Sequence, residues 1–427
     1  MKFIYADSLD FVDPEFDFAA DRTRAGRAVH ADDEYPHEFL GRAPYDGILV
    51  SRGIVGDWGM RGKYTDSQLM RFRRDGARAF LRYSEKRFPG SLVFGDCGAF
   101  QYREQESPPY AAADTAEFYA DGRFTHGCSV DHVIFDFDDE PSRGPQEVSS
   151  AIRHRYDVTL SLARDFIRES KRIGKHFTPL GVVQGWSAQS MADAAGKLSK
   201  MGYTYLAVGG LVALEEPQIH RALAAIRSAI PGKVKLHLLG FGKIERLKEY
   251  HTYGVASFDT TSPLLRAFKD ATRNYFAPGG RDELQYYTAI RVPQATRNAK
   301  LKRRAREGRL DQEQALALEG AALDSLRRYE KRRVRLELTL DRVIEYWSAL
   351  NWTEHTSSAK RERGRIHQRE IYRRTLADRP WEKCACRTCR EGGIESVIFR
   401  SSNRNKRRGI HNLHVFYRHL MKRRANE

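Results

Sequence analysis

The sequence predicts an α/β protein whose body is a (β/α)8 TIM-like barrel, followed by a basic helical insertion and a small C-terminal subdomain that holds a cysteine cluster. Three observations carry this reading. Over the first 290 residues short apolar, β-branched runs alternate with amphipathic helical segments, which implies parallel strands joined by helical crossovers. Near residue 291 the strand pattern stops and charge-dense helical periodicity takes over. Finally, three of the five cysteines crowd into WEKCACRTCR. The expected division is therefore 1–290 barrel, 291–380 basic helical insertion, and 381–427 cysteine subdomain with a last helix.

In chain order the candidate strands are MKFIYA at the start, DGILVS (46–51), SLVFG (91–95), HVIFDF (132–137), PLGVVQ (179–184), TYLAVG (204–209), VKLHLLG (234–240) and VASFD (255–259). Eight such runs suit a closed barrel. Helical spacing of apolar residues marks 149–174, 187–202 and 216–232 between them. An open doubly wound sheet is the structural rival, but no G-x-G-x-x-G or G-x-x-x-x-G-K-[ST] motif follows the first strand. From 291 onward, RNAKLKRRAREG through EYWSALNW reads as helices, TEHTSSAKRERGR as a polar stretch, and HNLHVFYRHLMKRRA as a final helix.

Composition restricts the function classes. At 41% hydrophobic and 11% aromatic the chain is too apolar to be disordered, and no run approaches the roughly 20 apolar residues of a membrane span. MKFIYADSLDFVDPEFDF interrupts its apolar residues with acids, which predicts no secretory signal and a cytoplasmic location. The formal charge of +17 is segregated: residues 291–427 hold 35 basic against 17 acidic residues, whereas 1–290 are near neutral with 38 against 39. A neutral body joined to a basic module points to a polyanionic partner. Cys384, Cys386 and Cys389 lie too close in sequence to form unstrained disulfides, so zinc is the expected reading.

Barrel active sites lie at strand C-termini, which singles out Asp96, Asp136 with Asp138, Gln184, Gly209 with Gly210, Gly240 and Asp259. Carboxylates converging among glycines suit chemistry on a planar polar ligand or a glycosidic bond.

FGDCGAFQY, VVQGW, YLAVGGLVALEE, LLGFGK, ASFDTTSPLLR, CACRTC and IHNLHVFYRHLM resemble, in the same order, the signatures of the tRNA-guanine transglycosylase superfamily. The resemblance covers about 90–290 and 381–424. It implies a barrel with a structural zinc subdomain and exchange of a guanine in a polynucleotide for a 7-deazaguanine. Asp259 then corresponds to the nucleophile that attacks C1′ and holds the sugar as an ester, and Asp96 to the acid/base carboxylate. Gln184 and the backbone of Gly209, Gly210 and Leu211 correspond to groups that bind the heterocycle, and Glu215 follows at the family spacing. Cys384, Cys386, Cys389 and His411 reproduce the C-x-C-x-x-C and distant histidine of the zinc site; His414 and His419 are rivals, and the HNL wording selects His411.

The departures are informative. Where many members read Asp-Ser-Gly-Gly-Phe, this chain has Asp96-Cys97-Gly98-Ala99-Phe100, which puts a weaker thiol donor in the pocket. Asp136 and Asp138 compete as the base-reading aspartate, and of the family's arginine pair after Asp259 only Arg266 remains. The interval from Asp259 to Cys384 is longer than in compact tRNA enzymes, and its segment 291–383 carries a net +10. Wording and insertion favour the DNA-modifying branch, with DNA and 7-cyano-7-deazaguanine as substrates, an ATPase-like partner and a homodimer among its expected associations, and no membrane. The alternatives are a tRNA substrate or a non-catalytic polynucleotide-binding subunit. Retention of both Asp96 and Asp259 argues against the latter.

Overall fold

A computed structural model describes the chain except residues 58–59, 139–147, 281–282, 352–356 and 426–427, and except the side chains at 244, 246, 248 and 300. By packing, the chain falls into two compact units: Met1–Leu9 with Tyr45–Ser262, and Asp10–Pro44 with Pro263–Glu427.

The first unit is a closed parallel barrel of eight strands among the described residues. They are β1 (Lys2–Ala6), β2 (Gly47–Ser51), β3 (Leu92–Asp96), β4 (His126–Cys128), β5 (Thr178–Val183), β6 (Tyr205–Val208), β7 (Lys235–Leu238) and β8 (Val255–Asp259). Closure is made by β1, which pairs with β2 through Ile4↔Gly47 and with β8 through Ile4↔Asp259. Inside, Ile4, Leu49, Phe94, Cys128, Leu180, Val182, Tyr205 and Ala207 form one buried cluster, the packed interior that a barrel of this size requires. The crossover helices begin on side-chain caps where the sequence supplies them. Ser149 accepts from the Ile152 N–H and Ser187 from the Ser190 N–H, satisfying donors that a helix start leaves open.

The fourth strand corrects the sequence reading. HVIFDF (132–137) forms no strand; HGC at 126–128 does. Val133 and Ile134 are buried, but their backbone is satisfied by side chains instead of a ladder. Arg155 donates to the Val133 carbonyl at 2.9 Å, Thr159 accepts from the His132 N–H at 2.9 Å, and Gln184 accepts from the Ile134 N–H at 3.3 Å. The apolar run reports burial, which a loop shares with a strand.

In the second unit the hairpin Tyr275–Pro278/Leu284–Tyr287 and the strand pair Ile290–Arg291/Ile398–Phe399 pack with the helices Gln312–Glu330, Leu336–Asn351, Ser358–Asp378 and Ser402–Ala425. Tyr275, Ile290, Leu326, Val343, Tyr372, Trp381, Cys389 and Ile398 belong to one buried cluster, whereas Ile410 of the last helix packs with Val12 and Phe39. Charge is not confined to the outside: Arg404, Arg407 and Arg408 of the last helix are buried. The polar stretch read over 353–365 begins outside the described residues and continues as the helix Ser358–Asp378. The segment Asp10–Pro44 is held to this unit by ion pairs. Asp21 accepts from Arg404 at 2.8 Å and Arg400 at 2.7 Å, and Arg387 donates to Glu34 at 2.7 Å. Among the described residues no helix is long and apolar enough to cross a membrane.

Candidate active site and metal centre

Two carboxylates end strands at the C-terminal mouth of the barrel. Asp259 closes β8 and is 6% exposed; its Oδ1 accepts from the Gly240 N–H at 3.0 Å and faces His237 Nε2 at 3.2 Å. Gly240 has φ +63°, a conformation that side-chain-bearing residues rarely adopt, and this turn aims its N–H at the carboxylate. Asp96 closes β3, directly beside Ser51 in the ladder, and its Oδ2 accepts from the Gly98 N–H at 3.1 Å. Burial raises the Asp96 pKa and the charge of Asp259 adds to it, against hydrogen bonds from Ser51, Gly98 and Cys97. Two neighbouring carboxyls with different hydrogen-bond environments can hold different protonation states, one acid and one base.

A buried polar network follows the C-terminal ends of β3, β4 and β5. Gln184 Nε2 donates to Asp131 Oδ2 at 2.7 Å, the Cys97 thiol donates to Asp131 Oδ1 at 3.1 Å, and the Tyr102 hydroxyl donates to the Asp131 carbonyl at 2.9 Å. Burial, with the charge of Asp96, pushes the Asp131 carboxyl up to about 7. Burial likewise keeps the Cys97 thiol protonated, which suits its role as donor. Gly209 must be glycine here, since a Cβ would lie 2.3 Å from Gln184 Nε2. Gly210 follows in the left-handed region and Leu211, buried, starts the next turn.

Of the residues singled out by sequence, Asp96, Cys97, Gln184, Gly209, Gly240 and Asp259 fall into this connected set, with Gly210 and Leu211 next to it. Asp136 is exposed and Asp138 half-buried, its N–H donating to the Trp186 carbonyl at 2.7 Å. Glu215 is exposed as the N-cap of the helix Glu216–Ala229. Arg266, in the second unit, places its guanidinium 5.7 Å from the Tyr286 ring centroid. Asp131 and His237 belong to this connected set as well and are not marked by any of the sequence motifs. The signal for His237 is a polar residue at a central position of the apolar run VKLHLLG, which the exposed Lys235 at its edge accompanies.

In the second unit Cys384, Cys386, Cys389 and His411 bring their ligand atoms within 4.8 Å of one another and can hold a metal ion. His411 Nδ1 lies 3.6, 3.4 and 3.2 Å from the three sulfurs. Its Nε2 donates to the Phe276 carbonyl at 2.7 Å, and the Tyr275 ring stacks on it at 4.1 Å, so the imidazole is fixed with Nδ1 toward the thiols. Three sulfurs and one nitrogen at these separations fit a closed tetrahedral site. His414 is not one of the four: its ring contacts Arg42, with Nδ1 3.4 Å from Nη2.

A parallel barrel with two carboxylates at its mouth, together with a separate Cys3His cluster that can hold a metal ion, defines a (β/α)8 enzyme. Residues 131–303 match the family described as queuine tRNA-ribosyltransferase. The chain is 40% identical over 421 residues to a DNA-guanine transglycosylase of Salmonella montevideo, covering 98% of this chain and 96% of that protein. It is 34% identical over 111 residues to a queuine tRNA-ribosyltransferase of Vibrio cholerae, covering 24% and 29% of the two chains. A queuine tRNA-ribosyltransferase of Shewanella baltica is 34% identical over 118 residues, covering 27% and 31%. The chain belongs to the tRNA-guanine transglycosylase superfamily, in its DNA-modifying branch, and is an enzyme of the transglycosylase type.

Proposed function

We propose that this enzyme exchanges guanine in DNA for 7-cyano-7-deazaguanine through a covalent glycosyl-aspartate intermediate. In the first displacement a lone pair on Asp259 forms the bond to C1′ as the bond from C1′ to N9 of guanine breaks. The electron pair stays on N9, which takes a proton from Asp96. In the second, N9 of the incoming base attacks C1′, its proton passes to Asp96, and the electron pair of the ester bond returns to the Asp259 carboxylate. Two displacements give net retention.

The observation that carries this reading is the pairing of a clamped Asp259 with an Asp96 whose pKa is raised by burial and by that neighbour. An acid with a raised pKa is suited to protonating a departing base. Choice of DNA is supported by the near full-length similarity to the Salmonella protein, whereas the relatives named for tRNA match about a quarter of the chain. Gln184, Cys97 and the backbone at Gly209, Gly210 and Leu211 would hold the heterocycle, with Asp136 or Asp138 reading it from the loop above. Zinc would sit among Cys384, Cys386, Cys389 and His411, where it supplies a cross-link within the fold. The reaction needs the guanine out of the stack, so an unpaired guanine should react faster than a paired one.

Incorporation of labelled 7-cyano-7-deazaguanine into plasmid DNA and into purified tRNA tests this, with the expected ATPase-like partner supplied. Labelling of DNA supports the proposal; labelling confined to tRNA overturns it.

A further inference from the structure

His237 is 0% exposed in the middle of β7, directly opposite Ser257 in the ladder with β8. A histidine there carries a desolvation cost that an aliphatic side chain would not, and its hydrogen bonds show what offsets it. Tyr205 and Ser257 hydroxyls are 2.6 Å apart, Ser257 Oγ lies 2.5 Å from His237 Nδ1, and His237 Nε2 lies 3.2 Å from Asp259 Oδ1. An ionised carboxylate can only accept, so Nε2 carries its hydrogen toward Asp259. That direction runs back along the chain: Ser257 donates to Nδ1 and Tyr205 donates to Ser257. Burial pushes the Tyr205 phenol up to about 12, so it keeps the proton it donates. The imidazole is held in place by Phe94, whose ring centroid is 5.0 Å away and whose own ring stacks on His126 at 4.3 Å.

We infer that His237 is a positioning residue which, with the Gly240 N–H, occupies Oδ1 of Asp259, leaving Oδ2 as the oxygen that bonds to C1′ and easing its departure when the second base attacks. This rests on the reading of Asp259 as nucleophile. Donors on Oδ1 stabilise a carboxylate more than the carbonyl of an ester, because hydrogen bonds to charged groups are the stronger ones. They therefore favour the step in which the C1′–Oδ2 bond breaks and its electron pair returns to the carboxylate. Removing the Nε2 donor makes the covalent intermediate longer-lived.

The test follows the covalent protein–DNA intermediate of the full chain through its accumulation and its decay after 7-cyano-7-deazaguanine is added. Wild type, His237→Leu, His237→Gln and His237→Asn are compared, with zinc content and melting temperature confirming the fold. In His237→Leu decay should slow by about ten- to a hundredfold, with more intermediate at steady state. His237→Gln, whose amide nitrogen reaches the position of Nε2, should recover to within a few-fold. His237→Asn, whose amide reaches only the position of Nδ1, should behave like the leucine variant and serves in its place if that protein does not fold. Wild-type decay in folded His237→Leu, or equal rates in the Gln and Asn variants, overturns the inference. Asp259→Asn in the same assay separates the two claims. An intermediate formed by that variant removes the nucleophile assignment itself, whereas its absence there together with undisturbed decay in His237→Leu rejects only the role of His237.

Discussion

Gln184 donates to the Asp131 carboxylate over 2.7 Å, with both side chains 2% exposed. The bond gives the amide one orientation and makes the protonation state of Asp131 part of the pocket. Because burial lifts this carboxyl to about 7, the folded chain binds its proton more tightly than the unfolded chain, whose aspartates titrate near ~3.9. Its contribution to stability is full below ~4 and is lost as pH rises through about 7. Asp131→Asn, which cannot ionise, should gain stability relative to wild type as pH is raised from ~5 to ~8. Denaturant midpoints across that range check this; parallel curves for the two proteins contradict it.

The basic helix Ala299–Arg306 divides its arginines between two tasks. Arg304 donates to the Leu350 carbonyl and is half-buried, whereas Lys302, Arg303 and Arg306 are exposed. Neutralising those three should weaken DNA binding at all sequences alike and flatten the salt dependence by about one unit of slope for each phosphate that is no longer neutralised. Affinities measured between low and moderate salt decide it. An unchanged slope assigns the helix to packing alone.

The Cys3His centre should hold about one zinc per chain, a count set by its four converging ligands. Cys386→Ala and His411→Ala should yield metal-poor protein of lowered melting temperature, since binding of a structural metal is part of the folding free energy. Metal analysis of the purified variants checks this, and stoichiometric zinc in both would remove these ligands from the assignment.

The ion pairs that hold Asp10–Pro44 make a separate prediction. Asp21→Asn weakens one of the two carboxylate contacts of the buried Arg404, which keeps Glu395, and loss of a hydrogen bond between charged groups costs about 1.5–3 kcal/mol. Burial alone would raise the Asp21 carboxyl, but the hydrogen bond and charge of Arg404, with Arg400 and Ser401, bring it below the ordinary value. Its stabilisation is present above ~3.9 and fades as pH falls through the depressed value. Unfolding curves should therefore show the variant's deficit at neutral pH and its shrinkage in acid.

How much of this is legible in the sequence depends on the range of the interaction. Seven barrel strands are marked by apolar runs whose ends fall within a residue or two of those observed, because a parallel strand buried on both faces is apolar throughout. The remaining strand, β4 at His126–Cys128, has no such run, and Gly127 is small because the Tyr119 ring lies against it. Positions such as Asp96 and Asp259 are legible because the barrel places strand ends at the mouth. Asp131 is not, since it follows a three-residue strand that no pattern announces. The attachment of 10–44 through Asp21 and Arg404, 383 positions apart, is a long-range ion pair without a local signal. Cys384, Cys386 and Cys389 are the opposite case, marked as a candidate metal site by their spacing alone.

In the proposed exchange Asp259 carries the sugar between two bases while Asp96 moves the proton. The most direct measurement is denaturing analysis of protein quenched during reaction with DNA, followed by peptide mapping of the covalent species. A nucleotide-bearing peptide containing Asp259 is expected in wild type and none in Asp259→Asn. Asp96→Asn should still form the species, with exchange slowed by about 10²–10⁴. A covalent species that persists in Asp259→Asn, or that maps to another residue, would contradict this role of Asp259.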